Sequence, residues 1–148
     1  MLNSQGVPVL ISLQSSSSAD GEDAETISLL TAGELRKTAD GHLLCYEEAL
    51  DESVAPTQVE LLLEGDVISM CRSGDYDANM IFRKGQRYEG QYRTPYGVFD
   101  LALFCIKAHY TINAQDGELH LQYQLDVNGQ YAAMHDLALC FSVKEGKA

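Results

Sequence analysis

The chain is short of bases and has no long apolar run. Ten Lys and Arg stand against 22 Asp and Glu, for a formal net charge of −12. A surface this acidic is repelled by the phosphate backbone and by anionic membranes, so neither nucleic acid nor membrane is expected as a partner. No apolar stretch approaches the roughly 20 residues that a bilayer-spanning helix needs. The opening residues, Met1-Leu2-Asn3-Ser4-Gln5-Gly6, lack a basic segment followed by an apolar one. No secretory signal is therefore expected, and the cytoplasm is the simplest location.

Motifs that carry chemistry are also missing. The sequence has no GxSxG elbow, no P-loop and no dinucleotide fingerprint. Asp75, Asp77 and Asn79 alternate, but without the glycine and distal glutamate of a calcium loop. Cys45, Cys71, Cys105 and Cys140 form no CxxC pair, and each lies in a strand-like run. They are expected to be small buried hydrophobes. His42, His109, His120 and His135 form no HxH or HxxxH pair and are read as solvent or rim residues. Glu47 and Glu48 are adjacent, so on a strand they point to opposite faces and make no acid/base pair. No catalytic residue, metal site or cofactor is therefore assigned.

What the chain does have is turn chemistry. Asp20-Gly21, Asp40-Gly41, Gly65-Asp66, Ser73-Gly74, Lys84-Gly85, Tyr96-Gly97, Asp116-Gly117 and Asn128-Gly129 cut it into short runs that alternate apolar with polar. That punctuation specifies hairpins. Strands are expected at Val7 to Gln14, Ala24 to Thr38, His42 to Glu48, Gln58 to Glu64 and Val67 to Arg72. Further strands follow at Tyr76 to Arg83, Arg87 to Thr94, Phe99 to Asn113, Glu118 to Val127 and Tyr131 to Val143. Ser15 to Asp23 reads as a polar loop, and Gly33 as a bulge or bend. Leu43 to Leu63 has some helical character, which Pro56 opposes. A connection is expected at Asp51 to Thr57, with room for one helical turn.

The last hairpin alternates most cleanly. Leu119, Leu121, Tyr123, Leu125 and Val127 share one face, and Leu137, Leu139, Phe141 and Val143 repeat the pattern on the partner. About ten strands cannot protect their edges in one flat sheet, so closure is expected. The reading is an all-β, mostly up-and-down antiparallel barrel of about 8–10 strands. It is one domain over residues 1–148, with the ordered barrel at about 7–144. This length buries roughly 70% of the unfolded surface and needs no disulfide or metal staple.

Charge is unevenly spread. Thirteen of the acids lie between Asp20 and Asp66, whereas Arg72, Arg83, Lys84, Arg87 and Arg93 make residues 72–93 locally about +2. The plain structural account is that these arginines pair with the chain's own carboxylates. The functional account is a small anionic ligand or an acidic partner.

Several segments together carry a family resemblance. They are Thr31 to Leu35, Leu44 to Glu48, Phe82 to Tyr88, Tyr92 to Gly97 and Leu121 to Gly129. The chain resembles the uncharacterised YwiB-like family of bacterial proteins over residues 8 to 144. The resemblance implies a calycin-type barrel, related in shape to lipocalins and fatty-acid-binding proteins. That family has no established catalytic residues, so none is carried over, and a shared fold does not establish a shared function.

The best candidate site is the aromatic and arginine cluster of Arg83, Arg87, Tyr88, Tyr92, Arg93 and Tyr96. Alternation puts Tyr88, Gly90, Tyr92 and Thr94 on one face and Arg87, Glu89, Gln91 and Arg93 on the other. An inward tyrosine face would present phenolic donors, with Gly90 admitting a ligand to the backbone. An inward arginine face would suit a carboxylate or phosphate. Both faces carry polar atoms, so alternation leaves the choice open. The bland alternative is that tyrosines line a rim and Thr94-Pro95-Tyr96-Gly97 only reverses the chain.

The leading reading is a non-enzymatic barrel binding a small apolar or anionic molecule in or at its mouth. The alternative is a solid-core barrel whose surface around residues 72–96 docks a partner or a second copy as a homodimer. An enzyme is the third reading.

Overall fold

The computed structural model describes residues 6–19, 25–48 and 56–144. The strands are β1 (Val7–Ser18), β2 (Glu25–Lys37), β3 (His42–Glu48), β4 (Thr57–Glu64) and β5 (Val67–Ser73). They continue as β6 (Asp77–Phe82), β7 (Arg87–Thr94), β8 (Gly97–Ile112), β9 (Asp116–Val127) and β10 (Gln130–Val143). Each pairs antiparallel with its sequence neighbours, and β1 pairs with β10 to close the barrel. The expected up-and-down barrel is the observed fold. The β9–β10 turn shows why Asn-Gly was informative: Asn128 (φ 52°) and Gly129 (φ 81°) are both left-handed, as a tight primed hairpin turn requires.

Alternation decides which side chains turn inward. Val9, Ile11, Leu44, Leu61, Leu63, Phe82, Leu103, Leu121 and Leu139 are essentially without solvent exposure. They converge from the strands into one apolar core. Burying each such side chain stabilises the fold by about 1.5–3 kcal/mol before entropy is counted.

Five details depart from the sequence reading. Ser15 to Ser18 belong to β1 rather than to a loop. Ser15 lies opposite Leu137 on one side and Ile27 on the other, so two neighbouring backbones hold this segment whatever its side chains prefer. Gly33 is not a bulge, because the β1–β2 register runs unbroken through it, and it is also where the β2–β3 ladder begins. A Cβ there would lie 2.5 Å from the Cys45 carbonyl oxygen and 2.7 Å from Ile11 Cδ1. Glycine is required by close approach, not by bending. The bulges lie instead between Cys105 and Lys107 in β8 and between Tyr131 and Ala133 in β10. The β8 bulge switches the inward set from Leu101, Leu103 and Cys105 to Ala108, Tyr110 and Ile112.

Fourth, Cys71 and Cys140 are exposed, Cys45 is half-buried and only Cys105 is buried. The exposed pair alternate with the inward residues Met70, Leu139 and Phe141, which sends the thiols outward. Fifth, the hairpin across Lys84-Gly85 does not zip from its turn. The β6–β7 ladder consists of Asp77 opposite Arg93 and Ala78 opposite Tyr92, at the far end. Near the turn, Gly85 and Gln86 exchange backbone hydrogen bonds with Cys105 of β8 at 2.8 and 3.0 Å. Residues 43–48 and 57–63, where helix and strand competed, are strands. The turns at Asp20-Gly21 and the connection at 51–55 lie outside the described residues.

Candidate functional site

The two ends of the barrel differ. At one end the inward rows are mostly apolar, with His42 opening the β3 row, and Tyr110 Oη donates to the Gly65 carbonyl oxygen at 2.9 Å. At the other end the same rows finish in polar residues. Val9, Ile11 and Leu13 lead to Ser15; Leu44 and Tyr46 lead to Glu48; Ile68 and Met70 lead to Arg72. In the opposite chain direction, Leu63, Leu61 and Val59 lead to Thr57, and Phe141, Leu139 and Leu137 lead to His135. These residues line a cavity of about 460 Å³. Ala78, Met80 and Leu101 contribute its apolar wall, and Tyr76, Tyr92 and Tyr123 its aromatic one.

An ion pair organises the polar side. Arg72 Nη1 donates to Glu48 Oε1 at 2.6 Å, and Nη2 donates to Oε2 at 3.2 Å. The two side chains are 27% and 11% exposed, so this pair is much less screened than a surface one. Burial opposes charging Arg72, but the Glu48 hydrogen bond and charge outweigh it and hold the guanidinium above its ordinary range.

Aromatic groups surround the pair. The rings of Tyr123 and His135 stack at 5.1 Å and 9°. Phe82 packs on Tyr123 from below at 4.8 Å, and Tyr76 meets Tyr92 at 6.2 Å. Burial pushes the Tyr123 phenol up to about 12, with Arg72 pulling down and Glu48 adding to the rise. Burial also raises Tyr46 well above its ordinary value, so its hydroxyl stays protonated. Burial, and then the Arg72 charge, hold His135 below the usual imidazole range. The Tyr46 hydroxyl is buried with no hydrogen-bond partner among the described residues. Leaving such a group unsatisfied costs about 1–3 kcal/mol, and Thr38 Oγ1 at the opposite end is in the same position.

The six residues anticipated from sequence are not brought together in one site. Tyr88 and Tyr92 turn inward, opposite Leu103 and Phe99 of β8. Of the six, Tyr92 alone lines this cavity. Tyr88 lies along its own strand over Gly90, where a Cβ would sit 3.0 Å from its ring and hydroxyl. Tyr88 therefore takes the space beside Gly90, and both border a separate, shallow hollow between β5, β6 and β7 that Arg93 also lines. Arg83, Arg87 and Arg93 are exposed on the outside, and Tyr96 is 84% exposed at its turn. Arg83 approaches Asp66 at 3.4 Å and Arg87 pairs with Glu89 at 2.9 Å, in line with the plain structural account of these charges. The inward-arginine arrangement is absent from β7 and occurs instead on β5, at Arg72.

Sequence reading passed over Glu48, Arg72, Tyr123 and His135 as site residues. The signal was present: each continues an apolar row by one two-residue step. His135 shares the parity of Leu137, Leu139 and Phe141, yet it was grouped with the rim histidines. His120 does face outward, and its Nε2 lies 3.0 Å from Asp136 Oδ1. Among the described residues no cluster of three metal-ligating side chains occurs. Asp77 Oδ1 accepts a hydrogen bond from the Gly74 amide at 2.8 Å and so secures a turn.

A ten-stranded up-and-down barrel, whose described residues pack closely toward one end and leave a cavity at the other, is the class of protein that this fold and site define. Within that class the chain belongs to the DUF1934 family, a domain of unknown function whose model matches residues 11–139. Its structure is similar to that of the ywiB protein from Bacillus subtilis, with a TM-score of 0.83 and 18% sequence identity. The match covers 94% of this chain and 93% of that one. At this identity the likeness establishes the fold. No curated protein matches the chain.

Proposed function

We propose that this protein is a non-enzymatic barrel of calycin type, formed by one domain, that holds a small molecule in the cavity at its open end. The observation that carries the reading is the half-buried Arg72–Glu48 pair on the wall of a cavity of about 460 Å³ that three tyrosines, Tyr76, Tyr92 and Tyr123, also line. Ligand pockets commonly measure 300–1,000 Å³ and combine mostly apolar walls with a few placed polar groups. Here Met80, Leu101, Leu125 and Val127 supply the apolar contact, and the guanidinium and phenols supply orientation. Arg72 is engaged in an ion pair, Tyr123 stays protonated, and His135 lies against Tyr123. That arrangement suits binding better than proton transfer. The four free thiols favour a reducing compartment, and we place the protein in the cytoplasm.

Native mass spectrometry of protein purified gently from its own host tests the reading. A reproducible added mass that is lost on denaturation, and absent from an Arg72→Met variant, is the expected result. An unliganded mass for the wild type, with no small molecule from host extract retained, argues against it.

A second reading is favoured by one observation. Ile81, Val98 and Phe104 are exposed on the outer surface around β7, next to its arginines, and this surface suits docking of a partner or a second copy. Sedimentation at low and high salt separates the two readings, because only self-association through this surface gives a salt-sensitive dimer.

A further inference from the structure

The wall of the cavity is rich in donors and balanced in charge. Among the described residues that line it, the charged side chains are Arg72 and Glu48, one of each sign. Glu48 uses both carboxylate oxygens on Arg72, so the acceptor and the cation cancel each other locally. Two of the five guanidinium N–H groups are used in that pair. The remaining N–H groups, together with the phenols of Tyr76, Tyr92 and Tyr123, are hydrogen-bond donors on a wall whose one carboxylate among the described residues is already engaged.

An anion entering this wall would find a cation already neutralised at 2.6 Å. It would lose its hydration and bring a second negative charge beside Glu48, in a protein of net charge −12. An uncharged acceptor meets no such repulsion and still receives the free donors. The stacked Tyr123–His135 pair and the tilted Tyr76–Tyr92 pair offer flat surfaces for its body.

Building on the ligand-cavity reading, we infer that the site selects an uncharged, apolar or aromatic molecule bearing a carbonyl-type acceptor aimed at Arg72, and discriminates against the corresponding carboxylate. Glu48 is the specificity-determining residue: it orients the guanidinium and cancels the charge that would otherwise draw an anion.

The test is a pair of probes of equal shape, naphthalene-2-carboxamide and naphthalene-2-carboxylate, titrated at pH 7.5 by naphthalene fluorescence and calorimetry. Wild-type protein is expected to bind the amide at least tenfold more tightly than the carboxylate. Glu48→Gln is expected to raise carboxylate affinity tenfold or more, because Arg72 is then uncancelled. If Glu48→Gln fails to fold by circular dichroism, the wild-type comparison alone decides. A wild-type protein that prefers the carboxylate overturns the inference and leaves the ligand-cavity reading standing. Binding of neither probe to wild type, with neither displacing any host-derived ligand, contradicts both.

Discussion

The two ends of this barrel are built from the same strands by the same alternation, yet they do opposite things. At one end Leu44, Leu61, Leu63, Ile68 and Leu139 meet with almost no solvent exposure. At the other, rows from those strands finish in Glu48, Thr57, Arg72 and His135 around a cavity. The pleat has not changed; only the residue identity at the end of each row has. Stability is therefore concentrated at one end, and most of the half-buried polar groups on the inward rows, which cost desolvation, gather at the other.

Substitutions at the two ends sharpen that contrast. Leu61→Ala, in the fully buried region, is expected to cost about 3–4 kcal/mol in urea unfolding, whereas Leu125→Ala on the cavity wall costs under about 1 kcal/mol. Equal losses would mean that the two ends are packed alike. Gly33→Ala forces a methyl group against the Cys45 carbonyl and Ile11. It is expected to lower stability by up to about 3 kcal/mol, and an unchanged unfolding midpoint would show that the strands can part there.

The ion pair comes next in size. Arg72→Met strands the Glu48 carboxylate and is expected to cost about 2 kcal/mol, less than for a fully buried pair because both partners retain some exposure. The double variant Arg72→Met with Glu48→Gln should recover at least half of that loss. If each single change costs nothing, the pair is no more than a surface contact.

The smallest effect is a pH dependence. His135 is held below the imidazole range by burial and by Arg72, so the unfolded chain takes up its proton first as pH falls. Its contribution to stability is present above the unfolded pKa of about 6.5 and is lost as pH falls below it. His42 is shifted the same way, by burial and by Lys37. His135→Phe should therefore reduce, but not abolish, the loss of stability between about pH 6.5 and 5. A steeper loss in the variant would show that the imidazole is charged in the folded state.

Much of this fold was legible because alternation and turn residues are local signals. His42–Glu48 and Arg87–Thr94 are strands with the bounds that the pattern implied, and Asn128-Gly129 turns the last hairpin. What escaped depended on neighbours in space. Ser15 to Ser18 become strand because β2 and β10 flank them, and the β8 bulge begins at Cys105, the residue that bonds the Gly85–Gln86 turn through its backbone. The site was half legible for a related reason. The conspicuous cluster at residues 83–96 drew attention through proximity in sequence, and only Tyr92 of that cluster reaches the cavity. The residues that do converge there come from strands far apart in the chain. They could have been found by asking which polar residue ends each apolar row.

The most direct test of the account is a two-dimensional NMR titration of tyrosine-labelled protein with naphthalene-2-carboxamide. The account predicts saturable shifts at Tyr76, Tyr92 and Tyr123 around the cavity, with Tyr96 on its exposed turn and Tyr110 at the packed end unchanged. Shifts confined to Tyr96, or none at saturating probe, would contradict the claim that the open end of the barrel is a binding site.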